Sequence, residues 1–127
     1  MGQRTSATLI LIVEDDWVIA SQIEALLLDA GYKVVGPTGH LADAIEMALK
    51  EPITAALLDI ELTRGDLVYP VAEALMGREI PFAFISSRPQ LEIDPVYRGL
   101  PCVGKPFAPE ALLSALRNLV SDDDRSA

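Results

Sequence analysis

The apolar positions change period several times along the chain. Leu9–Val13 is an unbroken apolar run, short enough for a strand buried on both faces. Ile19, Ile23, Leu26, Leu27 and Ala30 then recur mostly three or four residues apart, which marks one face of a helix. Asp16 stands where a capping carboxylate would accept the first free N–H groups, and Gly31 stands where a helix would end. Lys33–Gly36 reads as a second strand. Leu41, Ala44, Ile45, Ala48 and Leu49 form another helical stripe, stopped before Pro52, because the residue before a proline is pushed out of the helical region. Ala55–Leu58 is a third buried run, ending at Asp59. Val68, Val71, Ala72 and Leu75 predict a third helix, with Pro70 confined to its first turn. Phe82–Ile85 is a fourth strand, ending at Ser86, and Leu100–Val103 a short fifth, ending before Lys105. Leu112, Leu113, Leu116, Leu119 and Val120 predict a last helix, whose first turn suits Pro109 and Glu110. Between Arg88 and Gly99, Pro89, Pro95 and Gly99 leave room for one or two helical turns, so a fourth helix is expected to be short or irregular.

Strands alternating with helices imply a parallel sheet with helices on both faces. Continuous apolar strands fit that burial better than alternating ones would. With 127 residues the chain is long enough for one domain with its own core. The expected division is an extension at residues 1–7, a domain at 8–121 and a polar, frayed tail at 122–127. The formal net charge of −9 argues against nucleic acid as a partner, since phosphate binding needs a basic face. It leaves solubility, a cation site or a basic protein partner. No apolar run approaches the ~18 residues of a membrane span. Cys102 is the single cysteine, which excludes an internal disulfide and a zinc site built from several thiolates. A cytoplasmic protein, monomeric or weakly dimeric, is expected.

In open α/β sheets the functional crevice lies at the carboxyl ends of the strands. Glu14, Asp15 and Asp16 follow the first strand, Asp59 the third, Ser86 and Ser87 the fourth and Lys105 the fifth. Adjacent carboxylates at a buried edge repel and are costly to desolvate. They become favourable when they share a hard divalent cation, and Mg²⁺ is held by one or two carboxylates together with phosphate oxygens. Lys105 and the Ser86 hydroxyl are then placed for the remaining oxygens of a phosphoryl group. Such a site works by positioning and charge neutralisation. A carboxylate nucleophile would give an aspartyl phosphate, and Asp59 stands alone at the tip of the central-looking strand. A flavodoxin-like electron carrier is excluded, because "EDDW" after the first strand would repel a cofactor phosphate. A phosphohydrolase with its aspartate on the first strand fits poorly, since the order of its acids and lysine disagrees.

"LIVEDD", "LLDIEL", "FISS" and "GKPF", in that order, resemble the receiver domain of bacterial two-component response regulators over roughly residues 8 to 121. The stretch "LTRGDLVYPVAEAL" with "IPFAFIS" is similar to a group of stand-alone alphaproteobacterial receivers. The resemblance implies a (βα)5 flavodoxin-like fold and phosphorylation of Asp59 by a histidine kinase or histidine phosphotransfer protein. It implies an Mg²⁺ cofactor on Glu14, Asp15, Asp59 and the backbone carbonyl of Glu61, with Asp16 as an extra acid. It places Ser86 on the switch hydroxyl, Lys105 on the phosphate-binding lysine, and a cis bond before Pro106. The expected role is signal transduction, as a stoichiometric phosphoacceptor rather than an enzyme, through a downstream protein partner. A phosphate sink for a kinase and a phosphorylation-independent binding module are the alternatives.

Three features depart from the family pattern. Many receivers carry a proline and a glycine in a "DxxMPxxDG"-like loop after the phosphoacceptor, where this chain has "DIELTRGDLVYPVAEAL". The position of the switch aromatic holds Cys102, which reads as a small apolar residue rather than a redox sensor. The stretch from Ser86 to Lys105 is short, in keeping with a reduced fourth helix. Glu61 lies two residues after Asp59 and Arg88 two after Ser86. An ion pair between them would cross the path of attacking water and slow hydrolysis of the acyl phosphate.

Overall fold

The computed structural model describes residues 8–87 and 93–126. Five strands form one parallel sheet: β1 (Leu9–Val13), β2 (Lys33–Thr38), β3 (Ala55–Asp59), β4 (Phe82–Ser86) and β5 (Cys102–Gly104). Their spatial order is β2-β1-β3-β4-β5, the expected flavodoxin-like arrangement. Four helices connect or follow them: α1 (Trp17–Asp29), α2 (Leu41–Lys50), α3 (Tyr69–Gly77) and α4 (Pro109–Ser126). Between β4 and β5 the described residues hold only a short 3-10 turn at Pro95–Tyr97. That agrees with the proline- and glycine-broken sequence there.

The apolar strands divide by alternation. Leu11, Val13, Ala56, Leu58, Phe82 and Phe84 pack into one core with residues of α2 and α3. Ile10, Ile12, Ala55, Leu57, Ala83 and Ile85 pack into a second core with residues of α1 and α4. Every residue of β3 and β4 is buried. Full burial of each such Leu or Ile is worth about 1.5–3 kcal/mol, so the middle of the sheet is a rigid base for whatever its strand ends carry.

Local chemistry sets the helix ends. The Asp16 carboxylate accepts from the N–H of Val18 at 3.0 Å and of Ile19 at 3.3 Å, capping α1 as its sequence position implies. Gly31 follows the end of α1 with φ of 96°, a left-handed conformation that glycine adopts without penalty. Pro70 lies in the first turn of α3. Three boundaries differ from the sequence reading. β2 runs through Gly36 and Pro37 to Thr38, β5 starts at Cys102, and α4 continues past Ser121 to Ser126.

No helix among the described residues is long and apolar enough to cross a membrane.

Candidate functional site

The order of strands reverses between β1 and β3, so their carboxyl ends flank the crevice of the sheet, the place where open α/β folds bind ligands. Glu14 and Asp15 leave the end of β1 there, and Asp59 is the last residue of β3. Glu14, Asp15 and Asp59 each offer a carboxylate oxygen within 4.8 Å of the others. Glu14 and Asp59 are nearly sealed from solvent, at 2% and 6% exposure. Burying two acids beside one another is costly unless a positive charge answers them.

Lys105 supplies part of that charge. It follows β5, and its Nζ lies 2.8 Å from Glu14 Oε1 and 3.4 Å from Asp59 Oδ1. The β4–β5 pairing brings it there, since the Lys105 N–H donates to the Ser86 carbonyl at 2.9 Å. Ser86, also buried at 4% exposure, ends β4 beside it. The peptide bond from Lys105 to Pro106 is cis, as the family resemblance implies. A second cis bond, Gly36–Pro37, was not expected.

The electrostatics follow from burial. Asp59 is raised to about 7, first because it is buried, then because the Glu14 carboxylate stands beside it, with Lys105 pulling the other way. Burial works to lower Lys105, but contact with Glu14 and the field of Asp59 outweigh it and hold its pKa above the usual lysine value. Three carboxylates and one ammonium leave an excess of about two negative charges when all are ionised. Glu14 Oε2 accepts from the Asp16 N–H at 3.1 Å. Its other oxygen, Oε1, is buried and has no aligned hydrogen bond, only the ionic contact with Lys105. A buried carboxylate oxygen left in that condition, two spare negative charges and an all-oxygen donor set fit Mg²⁺.

Asp16 is not part of this cluster, because its side chain is committed to capping α1. Glu61 is exposed and pairs across its loop with Leu67 in an antiparallel bridge. Arg88 and its expected pairing with Glu61 lie outside the described residues. Cys102 is partly buried against the core shared with Phe84. Burial pushes its thiol pKa up, which disfavours the reactive thiolate and supports its reading as a small apolar residue. Trp17, the first residue of α1, follows directly on the acids and is 75% exposed.

Two site-forming residues escape a reading of strand ends. The Thr38 carbonyl accepts from the Glu14 N–H at 2.9 Å, fixing the backbone of the acidic pair. Gly39 lies against Asp15 so closely that a Cβ built on it would sit 2.5 Å from the Asp15 Cα and 2.5 Å from its Cβ. Its place just past the end of β2, at the same sheet edge, is the one signal that could have marked it. Gly39→Ala is therefore expected to displace Asp15, to cost about 1–3 kcal/mol by overpacking and to weaken Mg²⁺ binding. Urea denaturation and an Mg²⁺ titration check the two effects, and parent-like values in both would disprove the contact.

Comparison with known proteins agrees with this architecture. No family model matches the chain. The solution structure of SdrG from Sphingomonas melonis Fr1 superposes with a TM-score of 0.80 at 38% identity, covering 91% of this chain and 98% of that one. The receiver domain of the sensor histidine kinase PA1611 from Pseudomonas aeruginosa PAO1, solved with a magnesium ion coordinated in its active-site cleft, superposes with a TM-score of 0.77. It is 25% identical and covers 90% of this chain and 98% of that one. The regulator PhyR of Methylorubrum extorquens is 31% identical over 110 residues, 81% of this chain and 40% of its own length. The chain belongs to the receiver domains of two-component response regulators. It spans 40–56% of the length of the curated relatives it matches.

Proposed function

We propose that the chain is a phosphoacceptor switch, in which Asp59 takes a phosphoryl group from a phosphohistidine on a kinase or phosphotransfer protein and a partner protein reads the result. The observation that carries this reading is the grouping of Asp59 with Glu14, Asp15 and Lys105 at the sheet crevice. An Asp59 oxygen attacks phosphorus, the new P–O bond forms as the P–N bond to the donor imidazole breaks, and the departing nitrogen takes back the electron pair. Lys105 turns from the carboxylates to the incoming phosphoryl oxygens, and the Ser86 hydroxyl donates to another. Glu14, Asp15, Asp59 and the Glu61 carbonyl would hold Mg²⁺, which would neutralise charge on the acids and on the transferred group. Hydrolysis of the acyl phosphate resets the site, so the protein acts once per phosphoryl group received rather than as a turnover enzyme.

Incubation with Mg²⁺ and a small acyl-phosphate donor tests this. Intact mass is expected to show one added phosphoryl group in the parent, none in Asp59→Asn and none after chelation of Mg²⁺. An adduct that survives Asp59→Asn would put the phosphoryl group on another residue, and no adduct at all would favour a binding module that does not need phosphate; either result removes the reading.

A further inference from the structure

A fourth full helix would cover β4 and β5 on the face shared with α2 and α3. Among the described residues an aromatic stack occupies that place. Tyr97, on the 3-10 turn, is buried in the same core as Phe84, with Leu100 and Cys102 packed against that core. Its ring lies flat on that of Tyr69, with centroids 4.9 Å apart and planes at 8°. Both rings meet Phe84 edge-on, Tyr97 at 5.9 Å and Tyr69 at 6.1 Å. The Tyr69 hydroxyl accepts the N–H of Asp94 at 3.0 Å.

The stack joins the two segments that leave the site. Tyr69 opens α3, directly after the loop that follows Asp59. That loop is closed on itself by the Glu61–Leu67 bridge and by the Val68 N–H, which donates to the Ile60 carbonyl at 2.9 Å. Phe84 precedes Ser86 by two residues on β4, and strand alternation puts both on the same face. The segment between β4 and β5 is anchored at its far end by Tyr97. At the position where many receivers carry an aromatic, β5 offers only Cys102.

We propose that Tyr69 and Tyr97 are positioning residues for the phosphoryl site: their stack fixes Ser86 against the loop that carries on from Asp59. This rests on the phosphoacceptor reading above. Stacked and edge-on rings hold a narrow range of distances and angles, so they set the position of a connection whose described residues form only a short 3-10 turn. The cation's carboxylates belong to the ends of β1 and β3. The stack therefore acts mainly on the phosphoryl group, and reaches the cation only through the Glu61 carbonyl of that loop.

Beryllofluoride, which adds to an aspartate as a phosphoryl mimic, separates the two. Its affinity in saturating Mg²⁺, and the affinity for Mg²⁺ alone, are read by the fluorescence of exposed Trp17. Tyr97→Leu is expected to weaken beryllofluoride by about tenfold while Mg²⁺ affinity changes by less than about twofold. Tyr97→Phe, which keeps the ring, restores the parent value. Tyr69→Phe, which keeps the stack and loses only the Asp94 bond, shows a smaller loss of the same sign. Unchanged beryllofluoride affinity in Tyr97→Leu, or equal losses for both ligands, overturns the proposal. If Tyr97→Leu does not fold, Tyr69→Leu, which removes the other ring of the stack, decides, and a parent-like beryllofluoride affinity there overturns it. A parent protein that binds Mg²⁺ but no beryllofluoride overturns the phosphoacceptor reading and this inference with it.

Discussion

Asp59→Asn is expected to make the cation-free protein more stable at pH 8 and to change it little near pH 4. Asp59 has a folded pKa of about 7, raised by burial and by Glu14 from the ordinary aspartate value of 3.8. Between those two values the folded state holds a proton that the unfolded state has released. Stability therefore falls as pH rises across this window and levels off above pH 7. Below pH 4 both states are protonated and the penalty vanishes. A tenfold change in proton affinity corresponds to about 1.4 kcal/mol, which puts the gain of the asparagine variant at pH 8 at about 2–4 kcal/mol. The lost contact with Lys105 subtracts from it. Saturating Mg²⁺ is expected to reverse the order, because a cation held at this site would stabilise an ionised Asp59 and would gain less from the amide. Urea denaturation at pH 4.5, 6 and 8, with chelator and with saturating Mg²⁺, reads all of this. Parallel pH profiles for parent and variant in chelator would mean that Asp59 is not strained by its neighbours.

That strain was legible in the sequence as a contradiction: three acids at the end of an apolar strand, and a fourth at the end of another. Strand periodicity and the crevice rule for parallel sheets were enough to bring Glu14, Asp15, Asp59, Ser86 and Lys105 to one edge, because each stands at or just past the end of an apolar run. Asp16 belonged to the same run of acids, and only its capping geometry separates it from the cluster. Gly39 and the tyrosine stack were not legible. They depend on contacts across loops, and no local period records which side chain of one loop touches which of another.

The misplaced boundaries have similar causes. Gly36-Pro37 reads as a break, yet β2 lies at the edge of the sheet, where a proline's missing N–H costs no ladder bond. Gly36, at φ of 88°, takes up the register shift between Leu11 and Val13. A Cβ there would meet the Ile12 carbonyl oxygen at 2.9 Å. At the other end, Asp122 to Asp124 carry no apolar stripe, so periodicity stops at Val120 while the backbone of α4 continues to Ser126. β5 begins after Pro101, which has no N–H to give; its carbonyl still accepts from Phe84 at 2.9 Å.

Lys105→Met is expected to have the opposite sign from Asp59→Asn. Methionine keeps much of the side-chain volume and removes the ammonium that, among the described residues, pairs with two buried acids, Glu14 at 0% and Asp59 at 9% side-chain exposure. Breaking a buried pair from one side costs about 3–5 kcal/mol, since a charge is left without its partner. The folded pKa of Lys105 is raised, so its stabilisation is fully present below its unfolded value and is lost only in strong alkali, as pH climbs through the folded one. Across pH 5 to 8 its own charge is constant. Any pH dependence of the loss in that range must therefore come from Asp59, whose pKa climbs further once the lysine is gone. The cost should accordingly be largest at pH 8, and smaller at pH 5, where a protonated Asp59 leaves only Glu14 uncompensated. Saturating Mg²⁺ should recover much of the loss, because the cation replaces the missing positive charge. In the double variant Lys105→Met, Asp59→Asn the lysine substitution should cost less than in the parent. A loss that is the same at both pH values, with and without Mg²⁺, would show that Lys105 stabilises the protein by packing, and that the acids do not depend on it.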